Sequence, residues 1–157
     1  MLPETHELAN CKFLDEQTIK NWIRNGPDID SIEEVKKFSK YIAQDLKKVK
    51  ISKSKTVNEE VSTSQIRQIF SKLKTIEAKE GLKRPENIVE FIMLNPLMAY
   101  TVGRHKKTGL NALKDRLNIA IKEVVMTNNK EDKQKKFKNF CRLFEAILAY
   151  HKAYGGN

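Results

Sequence analysis

The sequence has little of the material from which disulfide frameworks, zinc sites and membrane spans are built. Its two cysteines, Cys11 and Cys141, stand 130 positions apart, which excludes a disulfide framework and a four-cysteine zinc site. Asn95 and Pro96 interrupt the most apolar stretch, so no run approaches the roughly 18 residues of a membrane span. The N-terminal residues lack the basic and apolar regions of a secretory signal. We therefore expect a cytoplasmic protein.

Glycine and proline are also scarce, with six and four residues in a chain of 157. This scarcity excludes a loop-rich or collagen-like chain, and the length suits one domain. Hydrophobic residues make up 39% and charged residues 32%, against about 45–50% and about a quarter in typical domains. The composition therefore indicates a globular chain with a heavily charged surface.

Positive charge exceeds negative charge, and the excess is unevenly distributed along the chain. Thirty Lys and Arg residues face 20 Asp and Glu residues, which gives a formal net charge of +10. Residues 1–46 carry 6 basic and 9 acidic groups, whereas residues 47–157 carry 24 basic and 11 acidic groups. A basic body of this kind favours a polyanionic partner, of which nucleic acid is the commonest. The alternative is a basic protein without such a partner.

Hydrophobic periodicity predicts an all-α fold, a compact bundle of about seven short helices with no sheet. Asp15 is a predicted helix cap, and residues 31–34 and 62–65 match capping boxes. The helix from Ser31 is predicted to continue to Val49. Asn95 is the predicted cap of a helix with Pro96 in its first turn. The last helix places phenylalanines and Cys141 on one apolar face.

The chain divides by charge into two parts that we expect to form one domain. Residues 1–58 contain an acidic leader, two helices and a lysine-rich segment, and residues 59–157 form the helical body. Residues 47–55 hold five lysines. The alternation of Val49 and Ile51 is compatible with a short strand, but the polar residues that follow favour a mobile basic loop.

The chain contains none of the short motifs that mark common catalytic or metal sites. It has no phosphate-binding loop, dinucleotide fingerprint, zinc-binding helix motif or CxxC pair. We therefore predict no catalytic residue, no metal and no cofactor. His105 and His151 leave one alternative open, a small ribonuclease that cleaves RNA by general acid–base catalysis. His6 lies in the acidic leader and indicates nothing.

Basic residues recur at helical spacing on two predicted helices. Arg67, Ser71 and Lys74 lie on the exposed side of the helix from Thr63, and Lys135, Lys138 and Arg142 follow one face of the last helix. Each stripe is either a solvated face or a binding face.

Residues 103–107 indicate a binding site more specifically than the two stripes do. Here a glycine is followed by Arg104, His105, Lys106 and Lys107. A glycine inside a helix costs about 1 kcal/mol relative to alanine, which suggests close approach by another helix or by a phosphate backbone. Tyr100 shares the face of Arg104, and core packing is favoured for it over stacking on a base.

Three segments in order give a resemblance to a known family. Residues 63–67 with Phe70, residues 95–104, and Phe140 with residues 144–152 resemble the blocks of the small helical subunit of type III-A CRISPR effector (Csm) complexes. The match covers about residues 60–154. Residues 1–58 carry no motif that matches.

The resemblance implies an all-α, non-catalytic subunit that acts in antiviral defence. Several copies of such a subunit lie beside one another and contact the backbone and large subunits, and other subunits perform cleavage. The subunit contacts target RNA and the duplex of guide RNA and target through the nucleic-acid backbone. Carried over by position, Arg67 and Arg104 are expected to contact RNA, whereas Tyr100 and residues 144–150 are expected to pack.

Charge adds further candidates for RNA contact. These are Lys53, Lys55, Lys74, Lys106, Lys107 and Arg142. A helix-turn-helix DNA-binding regulator remains an alternative, because Gln65 and Arg67 lie near the start of their helix, where base-reading residues occur.

Overall fold

A computed structural model describes residues 11–155, so His6 lies outside the described residues. In chain order the helices are α1 (Glu16–Asn25), α2 (Ile29–Lys40), α3 (Thr63–Ala78), α4 (Pro85–Ile92), α5 (Leu94–His105), α6 (Thr108–Val125) and α7 (Lys130–Ala153). A π-helical turn (Tyr41–Asp45), a 3-10 turn (Gly81–Lys83) and strands β1 (Val49–Lys50) and β2 (Thr56–Val57) connect them. The described chain is broadly all-α, as predicted.

The prediction of no sheet is wrong, because the lysine-rich segment forms a short antiparallel hairpin. Val49 pairs with Val57 and Lys50 pairs with Thr56. The turn is closed by the Ile51 amide, which donates to the Lys55 carbonyl at 3.1 Å. The predicted helix from Ser31 to Val49 is also too long, since α2 gives way to the π-helical turn and β1.

Helix starts follow the local chemistry of the sequence. Ser62 and Gln65 form the predicted capping box, with the Ser62 amide donating to Gln65 Oε1 at 2.8 Å. Asp15 caps α1 and accepts from the Thr18 amide at 2.9 Å. That hydrogen bond lowers the pKa of the Asp15 carboxyl, since it favours the charged form.

Two predicted helix starts are displaced. Asp28, not Ser31, caps α2, because Ser31 Oγ accepts from the Asp28 amide at 2.9 Å as the third residue of the helix. Asn95 lies inside α5, which begins at Leu94 without a side-chain cap. Met93 alone separates α4 from α5, and its side chain provides no cap for α5.

The long helix α7 packs against α1, α2, α3 and α6. Its phenylalanines join an aromatic cluster in which Phe91 lies edge-on to Phe137 and Phe140, with ring centroids 5.2 and 4.9 Å apart. Phe70 stacks at a tilt on Phe144 at 5.4 Å. Cys141 is buried beside them, as predicted, and burial raises the pKa of its thiol.

Arg116 fastens the segment that precedes α1. Its guanidinium donates to the carbonyls of Cys11 and Phe13 at 2.9 and 2.7 Å and lies 4.5 Å from the Phe38 ring centroid. Residues of α1 and α2 belong to the same hydrophobic cluster as residues of the later helices. The acidic N-terminal part of the described chain therefore packs on the basic part.

Candidate nucleic-acid interface

A short extended segment, residues 59–61, joins the lysine hairpin to the corner between α5 and α6. The Glu59 amide donates to the Leu46 carbonyl at 2.9 Å, and the Glu59 carbonyl accepts from the Gly109 amide at 2.9 Å. Glu59 Oε2 also accepts from the Thr108 amide at 2.7 Å. The base of the hairpin is therefore fixed against the start of α6.

The same segment reaches the end of α7. His151 Nε2 lies 2.6 Å from the Val61 carbonyl, and Lys47 Nζ donates to the Gly155 carbonyl at 3.2 Å. Three parts of the chain that carry lysine and arginine thus meet at one end of the molecule. We call this the basic end, and it comprises Lys47, Lys48, Lys50, Lys53, Lys55, Arg104, His105, Lys106, Lys107 and Lys152.

Gly109 is required where the segment crosses α6. A Cβ atom at this position would lie 2.8 Å from the Glu59 carbonyl oxygen and 3.0 Å from a Val61 methyl. Both distances are shorter than ordinary van der Waals contact. Close approach by another part of the chain therefore occurs at Gly109 and not at Gly103.

Two lysines of the basic end have backbone conformations that favour glycine. Lys106 follows α5 with φ +52°, and Lys48 precedes β1 with φ +54°. Glycine is the usual residue at the left-handed position after a helix, and other L-residues lose roughly 1–2 kcal/mol there. The chain therefore places lysine at two sites where glycine would be less strained.

The residues of the basic end that are predicted to contact RNA are largely exposed. Lys53 and Lys55 lie in and beside the hairpin turn, and Lys106 lies at the corner after α5. Lys107 is half-buried and pairs with Glu60 at 3.8 Å. Arg104 is exposed and has no ion pair or side-chain hydrogen bond within residues 11–155.

The remaining predicted contacts lie on α3 and α7. Arg67 and Arg142 are exposed, and within the described chain neither forms an ion pair. Lys74 is different, because its Nζ lies 2.6 Å from Glu77 and 3.3 Å from Glu145. These hydrogen bonds, led by that to Glu77, raise the pKa of Lys74. The charge of Lys74 is therefore matched within the protein.

Tyr100 and Gly103 are placed differently from the prediction. Tyr100 is 66% exposed, so the prediction that it packs in the core is wrong. The buried face of α5 is formed by Leu94, Met98 and Thr101, and Tyr100 points away from it. A Cβ atom at Gly103 would meet nothing within 4 Å, so no other helix requires this glycine.

The ribonuclease alternative does not fit the positions of the histidines. His151 is completely buried, whereas His105 is exposed. Burial lowers the pKa of His151, and Lys47 and Lys152 lower it further. Because a buried imidazole cannot reach an RNA phosphate, the two rings cannot act as an acid–base pair.

Within residues 11–155 no cluster of His, Cys, Asp and Glu is suited to a metal ion.

The helix-turn-helix alternative loses one of its two base-reading candidates. Gln65 is 9% exposed, and its side-chain oxygen is engaged by the Ser62 amide. It supports the start of α3 and is not free to read bases in a DNA groove.

Among the described helices, none combines the length and apolar character that a membrane span requires.

Sequence reasoning missed the contacts that assemble the basic end. Glu59 and Val61 lie in a polar stretch without periodicity, and their partners are remote in the chain. The left-handed lysines also carry no sequence signal, since glycine is the residue that marks such positions.

Comparison with protein families gives a match over most of the chain. A family model described as Csm2 Type III-A matches residues 30–157. The match includes the three segments on which the resemblance rested, and it begins about 30 residues earlier. No curated protein and no solved structure matches the chain.

Proposed function

The chain belongs to the Csm2 Type III-A family, the small subunits of type III-A CRISPR Csm complexes, and from this premise we propose that it binds RNA without cleaving it. In this proposal the basic end holds target RNA, and the duplex of guide RNA and target, through phosphate contacts. The other partners are the backbone and large subunits and neighbouring copies of this chain. The setting is cytoplasmic antiviral defence.

The observation that carries the proposal is the pair of strained lysines in the basic end. Lys48 and Lys106 occupy left-handed positions that glycine fills with less strain. Strain that the fold does not need is often retained for a function. Here the feature that lysine adds over glycine is a positive charge at an exposed corner, as a phosphate-binding surface requires.

Recognition through the backbone suits the chemistry of this surface. Its exposed side chains are lysines, Arg104 and His105, and the contacts that lysine and arginine make with phosphate oxygens carry no sequence information. Base pairing with a guide supplies the sequence specificity, so the protein needs to recognise a polyanion of A-form shape. No catalytic constellation is needed for this role.

The test replaces both strained lysines with glycine. Lys48→Gly with Lys106→Gly removes two charges and relieves two left-handed conformations. We expect an unchanged or slightly higher melting temperature together with weaker binding to single-stranded and duplex RNA of any sequence. The measurements are a thermal melt and a fluorescence-anisotropy titration on the same preparations.

Glu80→Gly is the matched control, because Glu80 also has a left-handed conformation, with φ +73°, and is exposed. It relieves the same kind of strain but leaves the lysines and arginines in place, so RNA affinity should not fall. If the double lysine variant binds RNA as tightly as the unmodified protein, the proposed interface is wrong.

A further inference from the structure

Tyr100 presents an aromatic ring that the fold does not use. The side chain is 66% exposed, and within residues 11–155 the ring has no aromatic partner and its hydroxyl has no hydrogen bond. The helix packs through Leu94, Met98 and Thr101 on its other side. Folding therefore does not explain an aromatic residue at this position.

The surface beside Tyr100 is open and basic. Arg104 follows one turn later on the same face of α5, and Gly103 lies next to both on the helix surface. A Cβ atom at Gly103 would meet nothing within 4 Å outside its chain neighbours, so the helix surface beside Tyr100 and Arg104 is open at this position. A flat ligand can approach α5 closely at this point.

We propose that Tyr100 is a stacking platform for an unpaired nucleobase, with Arg104 holding the adjoining phosphate. The inference rests on the proposed function and adds a base-binding subsite to it. Aromatic side chains stack on any base because every base has a π-face. A guanidinium one turn away can grip a phosphate with two hydrogen bonds.

Charge favours RNA over a protein partner at Tyr100. The other exposed apolar residues of this region, Val89, Ile92 and Met93, lie on or beside α4, which also carries Glu86 and Glu90. Tyr100 lies on the next helix, α5, where the charged residues that follow it in the chain are Arg104, Lys106 and Lys107. Helix α5 carries no Asp or Glu, so a polyanion meets only positive charge on the helix of Tyr100, whereas beside α4 the carboxylates of Glu86 and Glu90 lie among Lys72, Lys79 and Arg84.

The experiment compares Tyr100→Ala and Tyr100→Phe on single-stranded and duplex RNA. Loss of one base stack should weaken single-strand binding of the alanine variant by about 5- to 150-fold, with little change for blunt duplex RNA. The phenylalanine variant keeps the π-face and should bind single strands like the unmodified protein. A 2-aminopurine base placed along the strand should be quenched by the unmodified protein and by Tyr100→Phe, but not by Tyr100→Ala.

Two further variants sharpen the test. Gly103→Ala should weaken single-strand binding without lowering the melting temperature, since the added methyl group obstructs the ligand and not the fold. Met126→Ala removes an apolar side chain that is 69% exposed at the end of α6, and it should leave RNA binding unchanged.

The outcomes separate this inference from the proposed function. If Tyr100→Ala binds single strands normally while the double lysine variant binds weakly, the stacking platform is wrong and the basic interface stands. If the unmodified protein binds neither form of RNA, the proposed function fails as well. If Tyr100→Ala reduces self-association and leaves RNA affinity unchanged, Tyr100 belongs to a protein interface and the inference is overturned.

Discussion

His151 shows how one buried residue links the basic end to the core. Its Nε2 atom lies 2.6 Å from the Val61 carbonyl, which can only accept, so Nε2 carries the proton. Nδ1 is buried without a partner among the described residues. A second proton on Nδ1 would therefore place a charge in an apolar site next to Lys47 and Lys152.

This arrangement predicts a loss of stability in mild acid. Burial holds the pKa of His151 below the value of about 6.5 that it has in the unfolded chain. The unfolded state therefore binds the proton first as the pH falls. The stabilising contribution of neutral His151 is complete above about pH 6.5 and is lost progressively below it, toward the folded-state pKa.

His151→Gln tests this prediction because glutamine can donate to the Val61 carbonyl but does not titrate. The melting temperature of the variant should fall less between pH 7 and pH 5 than that of the unmodified protein. All other ionisable residues are the same in both proteins, so they cancel from the comparison. If the melting temperatures of the two proteins fell equally between pH 7 and pH 5, that result would contradict the role assigned to His151.

Residue types alone did not settle the side of α5 on which Tyr100 lies. The helix carries Leu94, Leu97, Met98, Tyr100 and Val102, so apolar residues occur on more than one face and periodicity allows several orientations. Packing against α6 and α3 selects the face of Met98 and Thr101. The sequence therefore indicated a basic segment after Tyr100 but not the exposure of its ring.

At the scale of elements, local chemistry predicted helix starts better than it predicted connections. Ser62 and Gln65 satisfy each other within one turn, so their capping box was legible in the sequence. The hairpin has only two residue pairs, and at its base Asn58 Oδ1 accepts from the Lys48 amide and the Leu46 carbonyl accepts from the Glu59 amide. Contacts of this kind are set by the tertiary structure, which pattern and propensity do not describe.

The two glycines near the basic end should respond oppositely to alanine. At Gly109 the new methyl group would lie 2.8 Å from the Glu59 carbonyl oxygen, and forced contacts of this kind cost about 1–3 kcal/mol. At Gly103 a methyl group meets no other part of the chain, and alanine should stabilise the helix by about 0.5–1 kcal/mol. In thermal melts, the melting temperature should therefore fall for Gly109→Ala and rise for Gly103→Ala.

Gly109→Ala also tests whether the junction of hairpin and α6 matters for binding. The methyl group pushes residues 59–61 away from α6, so the hairpin lysines shift relative to Lys106. We expect weaker RNA binding at temperatures well below the melting point, where the variant is folded. A variant that melts normally would show that the close approach at Gly109 is absent in solution.

At the scale of the whole molecule, charge and shape act together. The formal net charge is +10, but under the proposed function the position of each cation decides whether it contributes to RNA binding. Lys74 is matched by Glu77 and Glu145, whereas Arg104 projects into solvent without such a partner among the described residues. The sequence predicted that both Lys74 and Arg104 contact RNA. Composition does not show that Lys74 pairs with Glu77 on its own helix and with Glu145 on α7.

The dependence of binding on salt separates these two cations. Phosphate contacts make the logarithm of the RNA association constant fall linearly with the logarithm of the salt concentration, by about 0.7 per neutralised phosphate on single strands. Arg104→Ala should make this slope shallower by about 0.7 and weaken binding evenly across sequences. Lys74→Ala removes the same formal charge, but the slope should change little, because Lys74 is already paired within the protein. Equal changes for the two variants would mean that net charge governs binding, and the assignment of the interface to the basic end would then be wrong.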